Sequence, residues 1–388
     1  MDLKKLILDE KQYMINLRRE FHMYPEVSWE EFRTSQRVKE ELNKMGINYI
    51  PVAKTGILAT INGKNEERKL ILRADLDALS VKELNEFEHK SVTDGVMHAC
   101  GHDGHVAMLL GAAKILHNIR DTFDGEIKLL FQPAEEVCQG MRVVLEENVL
   151  GEADGCFGIH IWSDLPCGKI SVEEGPRMAS GDWGILKVKG KGCHGSMPHQ
   201  GVDAIVVASA IVMNLQSIVS RELNHLDTNV VSVGMIEGGE RFNVMAPEAK
   251  ITFTVRSFNK NTRMEIPKII ERIAKKTAEA YRAEAELDYY FYGAAAVVND
   301  SEASKIAENS VLKLYGSEYL SKFEKITASE DFGILQENYP GVFVFVGGGN
   351  PEKGYDVAHH NGKFDIDENS LELGCGLTVQ YSLDFLNQ

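Results

Sequence analysis

The sequence predicts an α/β protein with a mixed sheet flanked by helices as its main domain and a ferredoxin-like α+β lid domain inserted into it. Two observations support this fold class. Short, continuously apolar strands alternate with helices, which is typical of a sheet buried on both faces. Between about residues 180 and 292 the pattern changes to strands of alternating polar and apolar residues.

In the main domain, apolar residues at helical spacing predict helices over residues 6–21 and 35–45. Strands are predicted at residues 69–72, 126–131, 156–161 and 342–346, and a helix with an apolar face at 104–119. In the inserted part, the predicted elements are strand 183–190, helix 203–219, strands 229–236 and 249–258, helix 262–281 and strand 285–291. That βαββαβ order is the split ferredoxin-like unit. We therefore predict one domain over residues 1–179 and 294–388, and a lid and dimerisation domain over residues 180–293.

The composition excludes several classes of function. The chain has 388 residues and a net charge of -16, with no long basic run, so nucleic acid and anionic membranes are not expected partners. No signal peptide is evident, and the sequence suggests no apolar stretch of about 18 residues that would span a membrane. The six cysteines are scattered, as expected for reduced thiols in a cytoplasmic protein.

The densest chemical signal is the segment Met97-His98-Ala99-Cys100-Gly101-His102-Asp103-Gly104-His105. It places three histidines, a cysteine and an aspartate just before a predicted helix. Thiolate with imidazole suits zinc, and imidazole with carboxylate suits manganese, cobalt or nickel. Polar capping of a helix is the plainer interpretation, but so many potential ligands rarely cluster for capping alone.

Three weaker signals lie elsewhere in the chain. Glu135 and Glu136 directly follow an apolar strand, His160 lies in the next one, and His359 and His360 form a pair near the C-terminus. Adjacent glutamates are more often a solvated surface, and a lone histidine more often a hydrogen-bonded core residue. However, Cys100, His102, Glu135, Glu136 and His160 all lie in or just after predicted strand ends, and ligands of open α/β sheets bind at that edge. Convergence of separate segments predicts a metal site.

The chain resembles the aminoacylase / hippurate hydrolase family of dinuclear-metal amidohydrolases. Relatives of that family include indole-acetyl-amino-acid hydrolases and, more distantly, glutamate carboxypeptidases. The resemblance covers essentially the whole chain, and its motifs appear in the family's order. They are Arg18-Arg19-Glu20-Phe21-His22 with Pro25-Glu26, Leu72-Arg73-Ala74-Asp75-Leu76-Asp77-Ala78-Leu79, the Cys100 cluster, Gln132-Pro133-Ala134-Glu135-Glu136, Gly158-Ile159-His160, Gly192-Cys193-His194 and Ala328-Ser329-Glu330-Asp331-Phe332.

The resemblance implies two divalent metal ions per subunit, with manganese or zinc the first expectations and cobalt or nickel possible. It implies Cys100, His102, Glu136, His160 and His360 as metal ligands. His360 is preferred to His359 by counting back from Lys363-Phe364-Asp365. Glu135 would be the general base and acid, and Asp75 would orient a ligand. The expected reaction is hydrolysis of a small N-acyl amino acid, of N-acetyl or N-benzoyl type.

The resemblance also implies a homodimer formed through the lid domain, with His194 hydrogen-bonding the substrate carbonyl and Asn243 reaching the substrate. Arg256 is a candidate for pairing with the substrate carboxylate, with a structural salt bridge as the alternative. Gly348, within the run of glycines at 347–349, is a candidate for holding that carboxylate through backbone N–H groups, and a tight turn is the alternative. Cys193 and the longer run Asn243-Val244-Met245-Ala246-Pro247 depart from the family pattern, which affects the expected choice of substrate.

Three other functions remain open on the sequence. Cys100 activated by His102 would be a cysteine amidase, but that leaves Glu135, Glu136 and His160 without roles. A metal-binding protein without turnover is the non-enzyme alternative. A metallo-carboxypeptidase or dipeptidase acting on small peptides is the closest alternative.

Overall fold

The computed structural model describes residues 2–65, 67–291 and 294–388. The chain divides into two compact units. Unit 1 comprises Met1–Arg177, Val298–Lys325 and Asp331–Gln388, and unit 2 comprises Met178–Val297 and Ile326–Glu330. The lid domain was predicted as residues 180–293, and its last two residues lie outside the described part of the chain. The return of Ile326–Glu330 to unit 2 was not predicted.

Regular elements cover most of the described residues. The strands are β1 Asn48–Val52, β2 Gly56–Asn62, β3 Lys69–Asp75, β4 Glu126–Gln132, β5 Gly155–Pro166, β6 Ile170–Ser171, β7 Gly175–Met178, β8 Ser180–Lys189, β9 Asn229–Gly238, β10 Glu248–Ser257, β11 Glu284–Tyr290, β12 Val297–Asn299 and β13 Gly341–Gly349. The helices are α1 Leu3–Asp9, α2 Lys11–Met23, α3 Phe32–Met45, α4 His102–Asn118, α5 Gly140–Glu146, α6 Ala204–Ser217, α7 Lys260–Ala280, α8 Ser301–Leu314, α9 Phe332–Gln336 and α10 Asn369–Leu386.

Unit 1 is built on a seven-stranded sheet of order β1-β2-β4-β3-β5-β13-β6. The central strands β4, β3, β5 and β13 run parallel, while β1, β2 and β6 pair antiparallel with their neighbours. The mixed α/β sheet predicted from the sequence is therefore confirmed. The parallel strands end at one edge, which is where ligands of such sheets bind.

The apolar runs of the central strands explain their burial. Every residue of β13 is buried, and α4 packs its first fifteen residues, apart from Lys114, against the core. Strands β1 and β2 were not predicted from the sequence. Four of the five residues of β1 are not buried and include Pro51, so β1 lacks the apolar signature of a core strand.

Unit 2 contains a four-stranded antiparallel sheet of order β11-β8-β10-β9, with α6 and α7 as its helices. The chain order is β8-α6-β9-β10-α7-β11, the βαββαβ order that the sequence predicted. Buried apolar side chains of α6 and α7 form one core with those of the sheet, including Leu186, Ile211, Phe253 and Ile270.

One helical stretch in unit 2, Ala204–Glu222, is long and apolar enough to cross a membrane, which the sequence interpretation overlooked. Its side chains at Ala204, Val207, Ala208, Ile211 and Leu215 are buried in the core of unit 2. Burial therefore accounts for the apolar residues of one face, while the other face carries exposed apolar residues such as Val206 and Met213.

Candidate metal centre

Side chains with metal-binding chemistry meet at the edge of unit 1 where the parallel strands end. Cys100 and His102 flank Gly101, which caps α4 with a φ of 91°. Glu135 and Glu136 follow β4, and His160 lies in β5. Gly101 is required here because an L-residue with a side chain is strained at that backbone angle. The turn at Gly101 lets Cys100 and His102, on its two sides, face the same edge of the sheet.

Cys100 belongs to two groups of potential ligand atoms. Cys100, His102 and His160 have ligand atoms within 4.8 Å of one another, and so do Cys100, Glu136 and His360. The Cys100 Sγ lies 3.5 Å from His160 Nε2. Two triads that share one sulfur are the arrangement expected of a thiolate between two ions.

His102 and His160 are suited to coordinate a metal through Nε2, because the other ring nitrogen, Nδ1, makes a hydrogen bond. His102 Nδ1 lies 2.8 Å from the backbone carbonyl of Asp77, and His160 Nδ1 lies 2.7 Å from the carbonyl of Ile161. A carbonyl can only accept, so Nδ1 carries the proton in both rings. The Nε2 lone pair of each neutral ring is then free for a metal.

The other two histidines of the cluster differ from His102 and His160, although His105 has a ligand atom close to those of Asp75 and His102. His105 donates from Nδ1 to Asp75 at 2.6 Å and accepts the N–H of Ile161 at Nε2, at 2.9 Å, so both nitrogens are engaged. His98 is buried, and burial lowers its pKa to about 4. Among the described residues, no ligand group contains His98.

Two buried aspartates hold this arrangement. The Asp75 carboxylate accepts a hydrogen bond from His105 and another, at 2.6 Å, from the Arg73 guanidinium. Asp77 was not predicted as a functional residue. Its carboxylate accepts the N–H groups of Glu135 at 3.1 Å and Glu136 at 3.0 Å. The signal for Asp77 was present in the sequence, because it lies two residues beyond Asp75 at the end of the same strand.

The buried charges shift each other's pKa values. Burial opposes the imidazolium form of His102, but the carboxylates of Asp75, Asp77 and Glu136 outweigh it and raise its pKa to about 10. Burial raises the pKa of Glu136 to about 7, against the lowering effect of His102. The chain therefore surrounds His102 with negative charge that a cation would neutralise.

The glutamate pair lies on a constrained loop. Ala134 has a φ of 54°, in the left-handed region that L-residues rarely adopt. Glu135 is buried, with Oε2 3.9 Å from His102 Nε2, and Glu136 Oε1 lies 3.7 Å from the same nitrogen. Both carboxylates of the pair thus face one metal-type histidine, rather than forming a solvated surface.

The structure distinguishes the two C-terminal histidines. His360 Nε2 lies 3.5 Å from Glu136 Oε2, and His360 has a φ of 62°. His359 instead packs its ring against Trp162, with a centroid distance of 4.3 Å, and accepts the N–H of Ser163. The geometry places His360 in the ligand group and His359 beside it.

These residues fit a pair of divalent cations. His102 Nε2 and Glu136 Oε1 are buried polar atoms without a hydrogen-bond partner among the described residues. Leaving such an atom unsatisfied costs roughly 1–3 kcal/mol, so each normally has a reason. Thiolate, imidazole and carboxylate ligands bind such ions at roughly 2.0–2.3 Å, which requires ligand atoms as close together as those found here.

The glycine run belongs to strand β13, so the alternative of a tight turn is wrong. Residues 347–349 end β13 and are buried. The N–H of Gly347 donates to the Lys169 carbonyl at 2.8 Å, and a Cβ on Gly348 would lie 2.5 Å from the Ile161 side chain. Close packing explains why these positions are glycine, and binding of a carboxylate by Gly348 stays a prediction.

His194 lies in unit 2, where the backbone fixes its tautomer. The N–H of Ser196 points at His194 Nδ1 at 3.1 Å, and the Ser196 hydroxyl lies 2.8 Å from the same atom. A backbone N–H can only donate, so Nδ1 is the acceptor and the neutral ring carries its proton on Nε2. His194 therefore presents a hydrogen-bond donor on its exposed side.

The two other lid residues predicted to bind substrate are also in unit 2. The Asn243 carbonyl accepts the N–H of Gly195 at 2.9 Å, so Asn243 lies beside the His194 segment. Arg256, in β10, donates from Nη1 to Thr254 Oγ1 at 2.5 Å and to the Val255 carbonyl at 2.9 Å. The structure thus groups Asn243 with His194, and Arg256 lies on a different segment.

Comparison with known proteins identifies the family. Residues 71–383 match the model of the peptidase family M20/M25/M40. The chain belongs to this family. It is a metal-dependent hydrolase of amide bonds, and the family resemblance found in the sequence is confirmed.

Relatives of this family member carry two kinds of name. The chain is 42% identical over 303 residues to an N-acyl-L-amino acid amidohydrolase of Geobacillus stearothermophilus, covering 78% of this chain and 82% of that one. It is 34% identical over 394 residues to thermostable carboxypeptidase 1 of Saccharolobus solfataricus, covering 100% and 98%. A crystal structure of the YXEP protein of Bacillus subtilis, described as a dinuclear metal binding peptidase from the M20 family, matches with a TM-score of 0.87 and 33% identity, covering 98% of this chain and 99% of that one.

Proposed function

We propose that the chain hydrolyses the amide bond of small N-acyl amino acids, releasing a carboxylic acid and a free amino acid. The observation that carries this proposal is the pair of ligand triads sharing Cys100, with Glu135 beside them. The related N-acyl-L-amino acid amidohydrolase supports the substrate class.

The proposed metal ligands are Cys100, His102, Glu136, His160 and His360. Cys100 as thiolate would contact both ions, His102 and His160 would complete one set, and Glu136 and His360 the other. Manganese or zinc fits this mixture of soft and hard ligands, and cobalt or nickel could replace them. Two ions per chain are supported by the dinuclear description of the related Bacillus subtilis protein.

The mechanism assigns the proton transfers to Glu135. When bound, the two ions would polarise the amide carbonyl and acidify a water. Glu135 accepts the proton of the attacking water and then donates it to the nitrogen of the leaving amine, so that the C–N bond breaks and a carboxylate and an amine form. Asp77 holds the N–H groups of both glutamates, which keeps Glu135 oriented during both transfers.

His194 is proposed to donate from Nε2 to the oxygen of the tetrahedral intermediate. Its fixed tautomer supports that role, since a neutral ring with Nδ1 engaged can donate but not accept at Nε2. Loss of such a donor commonly lowers kcat by roughly 100- to 1,000-fold. We expect His194→Asn to follow this, with metal content unchanged. Asn243 and Arg256 are proposed as contacts of the amino-acid part of the substrate.

The test is hydrolysis by chelator-stripped protein, with and without added manganese or zinc. The panel comprises N-acetyl amino acids, hippurate and simple dipeptides, and Glu135→Gln is the matched variant. We expect metal to restore cleavage of the acylated amino acids and Glu135→Gln to abolish it while still binding two ions. Full activity of the stripped protein would instead favour Cys100 as a nucleophile.

A carboxypeptidase is the second candidate function, because one relative carries that name at 34% identity over the whole chain. The same panel separates the two. Cleavage of dipeptides with a free α-amine at rates above those for N-acetyl amino acids would favour the carboxypeptidase.

We also propose a homodimer formed through unit 2. Strand β9 is an edge strand of the four-stranded sheet, and its Met235 and Ile236 are exposed. On α6, Ile205, Val206 and Met213 are exposed as well. An unpaired strand edge next to an apolar helix face is a common site of association. Ile236→Lys with Met213→Lys should convert a dimer into a monomer in sedimentation velocity, whereas a wild-type monomer would refute the proposal.

A cytoplasmic location is proposed from the thiols. The described residues form no disulfide, which suits a reducing compartment. Fractionation of expressing cells would test this location.

A further inference from the structure

The backbone strain of unit 1 is concentrated around one buried carboxylate. Eight non-glycine residues among those described have a positive φ, and five of them lie on three segments that meet at Glu31. Those five residues are Trp29, Ala53, Lys54, Ala134 and Cys138. Each left-handed residue costs roughly 1–2 kcal/mol, so a cluster persists only where its surroundings hold it.

Glu31 makes the contacts that hold these segments. Its Oε1 accepts the N–H of Trp29 at 2.9 Å and the N–H of Ala134 at 2.8 Å. Its Oε2 accepts the hydroxyl of Thr55 at 2.6 Å. Glu31 is fully buried, and one oxygen thus binds the N–H groups of two left-handed residues that are 105 positions apart.

We propose that Glu31 is a positioning residue for Glu135, and that it acts by keeping Ala134 in its left-handed conformation. Ala134 directly precedes Glu135, so a change of φ at Ala134 redirects the carboxylate that follows. With Asp77, Glu31 completes a set of three consecutive N–H groups, at residues 134, 135 and 136, that are each held by a buried carboxylate. This inference rests on the proposed role of Glu135 as general base.

A purely structural role and a positioning role predict different results for Glu31 variants. If Glu31 only stabilises the fold, its loss lowers the melting temperature and leaves turnover alone. If it positions Glu135, its loss lowers kcat at constant KM and metal content, because displacement of a catalytic group by about 1 Å can cost about 100-fold in rate. Glycine adopts a positive φ without strain, so a glycine at position 134 can keep the left-handed conformation partly without Glu31.

The experiment measures kcat, KM, metal content and melting temperature of the full-length, metal-loaded protein. We expect Glu31→Gln, which keeps one acceptor oxygen, to lower kcat about 10-fold, and Glu31→Ala about 100-fold. Adding Ala134→Gly to Glu31→Ala should raise kcat at least about 5-fold without restoring the melting temperature, since a left-handed glycine is unstrained. Because Glu31→Gln is close in shape to the native residue, it remains informative if the alanine variant folds poorly.

Glu26→Gln is the matched control. Glu26 lies in the same segment and also accepts two backbone N–H groups, those of Arg33 at 2.9 Å and Thr34 at 2.8 Å, at the start of α3. It should lose thermal stability and keep kcat. The inference is overturned if both Glu31 variants keep kcat within about 2-fold of Glu26→Gln, a margin small against the loss expected of a displaced catalytic group. It is also overturned if Ala134→Gly leaves the kcat of Glu31→Ala unchanged.

Glu135→Gln, assayed in parallel, separates this failure from that of the proposed function. If Glu135→Gln remains active, the general-base assignment is wrong and the positioning role is overturned with it. If Glu135→Gln is inactive while the Glu31 variants are fully active, only the positioning role is wrong.

Discussion

Metal binding to the stripped protein should release protons, chiefly from His102. The pKa of about 10 means that His102 is almost fully protonated at pH 7, and the pKa of about 7 for Glu136 means that this carboxyl is half protonated. Both must lose their protons to bind an ion. We therefore expect these two groups to release about 1.5 protons per chain at pH 7: one from His102 and half from Glu136.

The same values give a free energy. Deprotonating His102 at pH 7 opposes binding by three pH units, at about 1.4 kcal/mol each, or about 4 kcal/mol. The proton and the metal ion compete for the same site. For each proton that binding releases, the affinity for metal should therefore rise about 10-fold per pH unit. Above pH 8 the contribution of Glu136 disappears and the slope should fall accordingly.

Calorimetric titration of stripped protein with zinc, in buffers of different ionisation enthalpy, counts the released protons. Asp75→Asn removes one of the carboxylates that raise the pKa of His102, so it should lower the count. The exposed Asp94→Asn is the control and should leave it unchanged. Release of fewer than about one proton at pH 7 would refute the argument, since His102 would then already be neutral in the metal-free site.

Three further predictions follow from individual contacts. In metal-free protein, protonated His102 stabilises the fold fully below its unfolded pKa near 6.5, and this stabilisation is lost as the pH rises towards about 10. The melting temperature of metal-free protein should therefore fall between pH 7 and 10, and bound metal should abolish the fall. His105→Gln should still bind two ions by metal analysis but about 10- to 100-fold more weakly, because His105 supports the site through Asp75 rather than coordinating; loss of one ion would contradict this. Gly140→Ala should lower the free energy of unfolding, measured in urea, by about 3 kcal/mol or more, because the new Cβ would lie 1.6 Å from the Pro133 carbonyl oxygen. Gly168→Ala is the control: its Cβ has open space, so it should lose only about 1 kcal/mol, owing to its φ of 93°.

The sequence predicted the parts of the fold that have a local signature. Strands β3, β4, β5 and β13 carry apolar runs because they are buried on both faces, and the alternating strands of unit 2 carry the period of a sheet with one buried face. Strand β1 has neither pattern, and the return of Ile326–Glu330 to unit 2 depends on contacts between distant segments. Such contacts leave no periodic trace in a single sequence.

The candidate site divides in the same way. The clustering of ligand-type residues was enough to find Cys100 and His102, and position after a strand was enough to find Glu136. The expectation that Cys100 and His102 also follow a strand end was wrong, because they lie at the start of α4. These sequence patterns could not show which ring nitrogens were free, and therefore could not separate His102 from His105. Nor could they show Glu31, whose partner Ala134 is 103 residues away.

The metal centre also has a cost that the protein alone does not offset. His102 Nε2 and Glu136 Oε1 are buried without partners among the described residues, and Asp75 and Asp77 are buried carboxylates facing the same histidine. Unsatisfied polar atoms such as these two destabilise a fold unless something binds them. The two proposed ions would satisfy the nitrogen and the oxygen and would place positive charge next to the carboxylates. Metal binding at this site should therefore also stabilise the fold. The same unsatisfied buried atoms that destabilise the metal-free chain give it affinity for the ions.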